Sequence, residues 1–269
     1  MAGSLTIVGT GIQLAVHLTP EARFHIEHAE EVLYLVADAA AGKWMERLNP
    51  SCSSLHVFYE PGKDRRSGYE EMVEAILSRV RAGVDLCVVF YGHPGVFVYP
   101  SHEAIRQSRA LGVPSRMLPA ISAEDCLFAE VGLDPGIQGC QSYEATDFMV
   151  RPRNFDTSTP LILWQVGAIG ETEALFSFTT RNGLRILAEF LEPHYGSDHE
   201  VVVYEASEYP IVNSRIRFVH LADLPQVEVR TLATLYVPSL AAPSVCLDMV
   251  ERVRVSQTHG EYADKDRHA

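Results

Sequence analysis

The chain has 269 residues, 47% of them hydrophobic and 21% charged, with a net charge of −13. That is ample apolar material for one large domain or two smaller ones. The acidic balance argues against nucleic acid or an anionic membrane as partner, because no net positive field draws phosphate, and no window is long enough to span a bilayer.

In chain order, the first expected strand is Leu5–Val8, ending in Gly9-Thr10-Gly11. Thr19-Pro20-Glu21 then opens a helix, with Thr as N-cap, Pro in the first turn and an acid near the positive end of the dipole. A strand over Val32–Val36 and a helix over Ala40–Leu48 follow, and His56–Tyr59 reads as extended. After a polar loop, Ser67-Gly68-Tyr69-Glu70 has capping-box spacing. Met72, Val73, Ile76, Leu77 and Val80 keep helical period as far as Gly83, a C-terminal cap. The strand Leu86–Tyr91 enters the loop Gly92-His93-Pro94-Gly95, Ser101 caps a helix closed by Gly112, and the strand Ser115–Leu118 precedes a helix capped by Ser122. Short apolar strands alternating with helices predict a parallel sheet covered on both faces.

Beyond about residue 120 the strands at Cys140–Tyr143, Leu161–Val166, Val201–Tyr204, Arg215–His220 and Thr231–Val237 are separated by fewer helices, the clearest being Leu184–Tyr195. This pattern predicts a mixed sheet. The expected organisation is an α/β domain at 3–118, a second at 119–238 and a tail at 239–269, with one helix near Val245–Val253 and a disordered polar end. The five scattered cysteines include no C-x-x-C pair, which indicates neither zinc nor a disulfide framework and fits reduced thiols in the cytoplasm.

Gly9-Thr10-Gly11 lacks the third glycine of a dinucleotide fingerprint, since Leu14 stands in its place, so an NAD reading is weak. Ligands of doubly wound sheets gather at carboxyl ends of strands, where F-Y-G-H-P-G-V-F at 90–97 lies. Gly92 and Gly95 would let the backbone approach a ligand, with Tyr91 and Phe97 as flat walls. By itself, His93 reads as a capped turn residue.

The order strand–G-x-G, strand–G-x-P-x-x-F, then I-S-A at a helix start resembles the tetrapyrrole methylases, whose second motif carries an acid where this chain has His93. That departure points away from a tetrapyrrole substrate. V-G-T-G-I at 8–12, the loop at 90–97, M-L-P at 117–119, I-S-A-E-D-C-L-F-A at 121–129, Y-E-A-T-D-F at 143–148 and L-W-Q-V-G at 163–167 together resemble the borosin methyltransferases, which methylate backbone amides of ribosomally made peptides. The resemblance implies a two-domain tetrapyrrole-methylase-like fold with S-adenosylmethionine between the domains. It places the donor on Tyr91, His93, Val96, Phe97, Ser122, Ala123, Gln165 and Ala206. Ser122 also reads as a plain helix cap, and Gln165, as a polar residue ending a buried strand, needs a partner.

The family's catalytic Tyr–Arg–Tyr maps onto Tyr59, Arg65 and Tyr69, with His56 where fungal-type members carry another Tyr. A peptide nitrogen is a poor nucleophile because its lone pair is delocalised into the carbonyl. A guanidinium beside a phenol favours the phenolate. Hence the expected roles are a Tyr held phenolate-like by Arg65, Tyr69 as proton acceptor and Tyr59 as orienting group or donor to the amide oxygen. No metal is called for, since the donor already carries its methyl on a sulfonium.

Fused borosins end in a Val/Ile/Gly-rich peptide, whereas this chain ends T-H-G-E-Y-A-D-K-D-R-H-A. The expectation is therefore a split arrangement, with a separate precursor peptide bound in trans and, by the resemblance, a homodimer. Two alternatives stand beside it: a small-molecule methylase of the tetrapyrrole type, and a catalytically idle module that binds the peptide or the donor.

Overall fold

The structure is a computed structural model that describes residues 3–253 except 61, 152 and 172–180. Strands β1 (Ser4–Gly9), β2 (Glu31–Leu35), β3 (Cys52–Ser54), β4 (Asp85–Phe90) and β5 (Ser115–Met117) form one all-parallel sheet in the order β3-β2-β4-β1-β5. Alternation explains why its central strands are apolar throughout. Cys87 and Val89 of β4 face one way, onto Ala22 and Ile26 of α1 (Pro20–His28) and Ala41 and Met45 of α2 (Ala39–Leu48). Leu86, Val88 and Phe90 face the other, onto Met72 and Ile76 of α3 (Arg65–Arg81) and Ala104 and Ile105 of α4 (Tyr99–Ala110). Both faces are covered, so neither tolerates polar side chains.

After α5 (Ala123–Val131) and the short α6 (Pro135–Gln138) comes β6 (Gln141–Glu144), followed by α7 (Ala145–Val150), β7 (Leu161–Trp164), α8 (Arg181–Tyr195), β8 (Glu200–Glu205), β9 (Arg215–His220), β10 (Thr234–Val237) and α9 (Leu247–Val253). The second sheet has the order β6-β7-β10-β8-β9; β6 and β7 run parallel and the other pairs antiparallel. Leu184, Leu187 and Leu191 of α8 pack on one face, and Leu127 of α5 meets Ile162, Trp164 and Tyr204 on the other. The α/β class, parallel first sheet and mixed second sheet match the expectation. No described helix is long and apolar enough to cross a membrane.

Several local expectations need correction. Leu55–Phe58 is a 3-10 turn rather than extended chain, because the Ser54 hydroxyl accepts from the His56 amide at 3.2 Å and ends the ladder. Helix α3 starts two residues before Ser67: Asp64 caps the amides of Arg66 and Ser67 at 3.0 and 3.2 Å, and Glu70 pairs with Arg66 instead of closing a capping box. Ser101 is no cap; it is buried inside α4, its hydroxyl donating to the carbonyl of Val98 at 2.8 Å and lying against that of Pro94. Strand β7 stops at Trp164, since Gln165 takes a left-handed turn, and β10 begins only at Thr234, after a turn in which Ala233 bonds to Arg230. The tail helix is α9; the expected disordered end at 254–269 lies outside the described residues.

Candidate active site

The loop that carries Tyr59, Arg65 and Tyr69 is built where β3 turns into α3. Leu55 is buried and anchors the 3-10 turn, and His56 Nε2 sits 2.8 Å from the carbonyl of Val36, just beyond β2. On the other side Asp64 fixes the start of α3. Gly68 lets the two segments touch, since a Cβ there would lie 2.8 Å from the carbonyl oxygen of Phe58. As a result Tyr59 and Tyr69 come together with ring centroids 6.2 Å apart and hydroxyls hydrogen-bonded. Both rings rest partly on the core under α3 and α4.

Burial raises the Tyr59 hydroxyl well above its ordinary pKa, and neighbouring Tyr69 adds to the rise; the Arg65 guanidinium opposes it. Tyr59 is therefore a neutral O–H donor at physiological pH. The two adjacent arginines separate in role. Arg65 acts electrostatically on Tyr59, whereas Arg66 pairs with Glu70 at 3.2 Å and lies over the Tyr99 ring at 5.7 Å. Tyr99, which the sequence reading passed over, extends the cluster, 6.3 Å from Tyr69.

The loop at 91–97 follows β4. Gly11 and Gly92 exchange backbone hydrogen bonds at 3.0 and 3.2 Å. Gly9 permits this contact, since a Cβ on it would stand 2.1 Å from the Gly92 carbonyl oxygen. The glycines thus serve loop-to-loop approach as much as any ligand. His93 behaves as the turn residue of the simpler reading, its Nδ1 accepting from the Gly95 amide at 2.9 Å. Val96 and Phe97 stay exposed.

From Phe97 the site crosses to the second sheet. Its ring lies 6.0 Å from that of Trp164, and Ala123 and Ala206 pack on the same cluster as Trp164. Ser122 caps α5 reciprocally with Asp125, its hydroxyl accepting from the Asp125 amide at 3.2 Å, and is buried. Tyr91 is placed near Cys126 and Glu208, and burial lifts its hydroxyl far above the usual range. The Cys126 thiol, pushed up to about 11 by burial, stays protonated and is no nucleophile.

Two features fit an adenosyl ligand at these residues. Phe97 and Gln165 both hold left-handed backbones, φ 54° and 58°, where non-glycine residues are strained and functional sites collect. The Gln165 amide and the Tyr91 hydroxyl also have no hydrogen-bond partner among the described residues, although both are half-buried. The strap after β8 closes one end of the cleft: the Leu14 amide bonds to the Glu208 carbonyl at 2.9 Å, and the Tyr209 hydroxyl donates to Asp38. A crevice of about 10 Å³ lies beside it, lined in part by Thr10, Val36, Tyr91 and Glu208. A 480 Å³ apolar groove beside Trp44 and Ile211 is lined by none of the candidate site residues. No group of three metal-ligating side chains occurs among the described residues.

The family model for tetrapyrrole (corrin/porphyrin) methylases matches residues 4–215. The chain belongs to that family. Among curated proteins, the chain is 42% identical over 258 residues to the methyltransferase/ribosomally synthesised cyclic peptide gymnopeptides precursor of Gymnopus fusipes, covering 94% of this chain and 61% of that one. It is 39% identical over 268 residues to the omphalotin A precursor of Omphalotus olearius, covering 98% and 64%. A type III borosin cyclic peptide precursor of Anomoporia bombycina is 40% identical, covering 89% and 28%. The chain therefore spans less than two thirds of the length of these relatives. Among solved structures, uroporphyrin-III-C-methyltransferase from Thermus thermophilus superposes with a TM-score of 0.63 at 18% identity, covering 97% of this chain and all of that one. The S-adenosyl homocysteine complex of the Thermus thermophilus uroporphyrin-III C-methyltransferase gives 0.58 at 20%, covering 88% and 92%. These neighbours share the fold.

Proposed function

We propose that the protein is a borosin-type methyltransferase that N-methylates backbone amides of a ribosomally made precursor peptide. The observation that carries this reading is the Tyr59–Tyr69 contact with Arg65 acting on it, placed beside the donor loop: Tyr99, two residues after Phe97, touches Tyr69. A methylase of tetrapyrroles has no evident use for two phenols and a guanidinium, whereas deprotonating an amide does. Relatives that are themselves named methyltransferase and peptide precursor support the same substrate class.

In this reading the donor, held by Tyr91, His93, Val96, Phe97, Ser122, Ala123, Gln165 and Ala206, supplies a methyl group on a sulfonium and leaves as the neutral thioether. The chain's residues do the rest. Tyr69, ionised to the phenolate that the Arg65 guanidinium favours, takes the amide proton onto its oxygen, and the Tyr59 O–H turns from Tyr69 to the substrate. The negative charge then shifts toward the amide oxygen, where the Tyr59 O–H donates a hydrogen bond, and Arg65 stabilises charge on both oxygens. The raised Tyr59 pKa suits this role, because a group that stays protonated can donate throughout the reaction.

The peptide is taken to be a separate chain and the protein a homodimer. Mixing the protein with S-adenosylmethionine and a Val/Ile/Gly-rich peptide, followed by fragment mass spectrometry, tests the reading. Methyl increments are expected on backbone nitrogens. Increments only on side chains, or methylation of an added uroporphyrinogen but not of peptide, would overturn it; sedimentation velocity checks the dimer.

A further inference from the structure

The row of rings in the catalytic loop does not end at the residues assigned to proton handling. His56, Tyr59, Tyr69 and Tyr99 follow one another with centroid separations of 6.1, 6.2 and 6.3 Å. The fold does not need the last of them. Helix α4 is held by buried Pro100, Ser101, Ala104, Ile105 and Ser108, while Tyr99 at its first position is 40% exposed. The N-cap Val98 makes no side-chain cap, so Tyr99 is not there to support one. Its ring also lies under the Arg66 guanidinium at 5.7 Å, which pairs with Glu70 at 3.2 Å. A preset aromatic face next to the reacting pair, backed by a cation and open to solvent, has the make-up of a binding surface.

The spacing identifies what fits. Side chains on one face of an extended peptide recur every two residues, about 6.6 Å apart. That repeat is close to the Tyr59–Tyr69–Tyr99 spacing. We propose that Tyr99, backed by Arg66, is a side-chain subsite for an extended peptide, receiving an aliphatic or aromatic residue two positions along from the residue whose amide lies between Tyr59 and Tyr69. The inference rests on the peptide-substrate reading and adds a specificity rule to it. Tyr99 is a positioning residue and takes no proton.

The test measures binding without turnover. N-acetylated peptide amides of Val and Gly, identical except for Phe, Val or Gly at one position, are titrated calorimetrically into the full chain with S-adenosylhomocysteine present. The wild type should bind the Phe and Val peptides about fivefold or more tighter than the Gly peptide, the size of one stacked contact. Tyr99→Ala should bind all three alike with an unchanged Tm, and Tyr99→Phe should restore the preference. The subsite is overturned if Tyr99→Ala keeps the preference, or if the wild type has none, including saturable binding of no peptide in the set. The two readings fail separately. Tyr99-dependent discrimination without any methyl transfer removes the proposed function and leaves the subsite; methylation indifferent to Tyr99 does the reverse.

Discussion

Residues 90–97 and residues 59–69 both approach Tyr99, yet they are shaped by different forces. Every tie of the first loop has a main-chain group at one end or both: Gly11 and Gly92 exchange backbone hydrogen bonds, the Gly95 amide donates to the His93 ring, and the Ser101 hydroxyl meets the carbonyls of Val98 and Pro94. The second is held by side chains: Asp64 caps α3, Lys63 pairs with Glu71 at 2.6 Å, and the contact that matters is between two phenols. A surface made of backbone survives the loss of most single side chains. A reaction centre made of three side chains does not. Donor binding and methyl transfer should therefore be separable by mutation.

The largest separation is expected in the second loop. Arg65→Ala or Tyr69→Phe should lower methyl transfer by about 10²- to 10⁴-fold, the range for a positioned acid–base group, with calorimetric affinity for S-adenosylhomocysteine changed by less than about threefold. Near-normal rates in both variants would remove the assigned roles. Equal losses of rate and donor affinity would show that the two loops are one unit. A smaller and opposite effect belongs to the first loop. Gly9→Ala drives a Cβ against the Gly92 carbonyl oxygen, 2.1 Å away, so the two loops must part. The expected cost is about 1–3 kcal/mol of stability, the usual range for overpacking, read by urea denaturation together with loss of donor binding. An unaltered donor affinity would mean that the Gly9–Gly92 approach has no part in holding the ligand.

How much of this was legible in the sequence follows the same division. The covered parallel sheet was plain in the runs over Leu86–Phe90 and Leu5–Val8, because burial on both faces leaves an unbroken apolar string. Thr19 and Ser122 declared their caps. The helix starts at Arg65 rather than after Ser67 because Asp64 and the Glu70 of a Ser67-x-x-Glu70 box compete for the Ser67 amide, and only geometry shows the upstream carboxylate winning. Tyr59, Arg65 and Tyr69 are singled out by the family resemblance, but nothing in Tyr99-Pro100-Ser101 signals that this ring meets Tyr69, a contact between residues thirty positions apart in sequence. The strained Phe97 and Gln165 backbones were equally silent. Asp38 and Tyr209 had no local pattern at all, since their contact joins the two sheets' loops across 171 residues.

That last contact gives the smallest effect and the one with a pH signature. Tyr209 donates to Asp38, which also caps α2 at the Ala41 amide, 2.9 Å away. Burial alone would raise the Asp38 carboxyl, but the Tyr209 hydroxyl and the helix amides outweigh it and hold it below its ordinary value. The Tyr209 hydroxyl is pushed up to about 12, mainly by that same bond. A lowered carboxyl contributes stability above its unfolded value, about 4, which is lost as pH falls through the folded value; a raised phenol contributes below about 10, which is lost as pH climbs toward its folded value. Their shared window thus runs from mildly acidic to mildly alkaline. Tyr209→Phe should cost about 1 kcal/mol within it, at the low end for a bond to a charged group because both partners are only half-buried. The gap between wild type and variant should close below the carboxylate range as Asp38 protonates. Thermal melts from strong acid to mild alkali measure it. A gap that stays constant into strong acid would mean that Tyr209 steadies the strap by packing alone, and that the two halves are latched over the cleft by the Leu14–Glu208 backbone bond without help from this carboxylate.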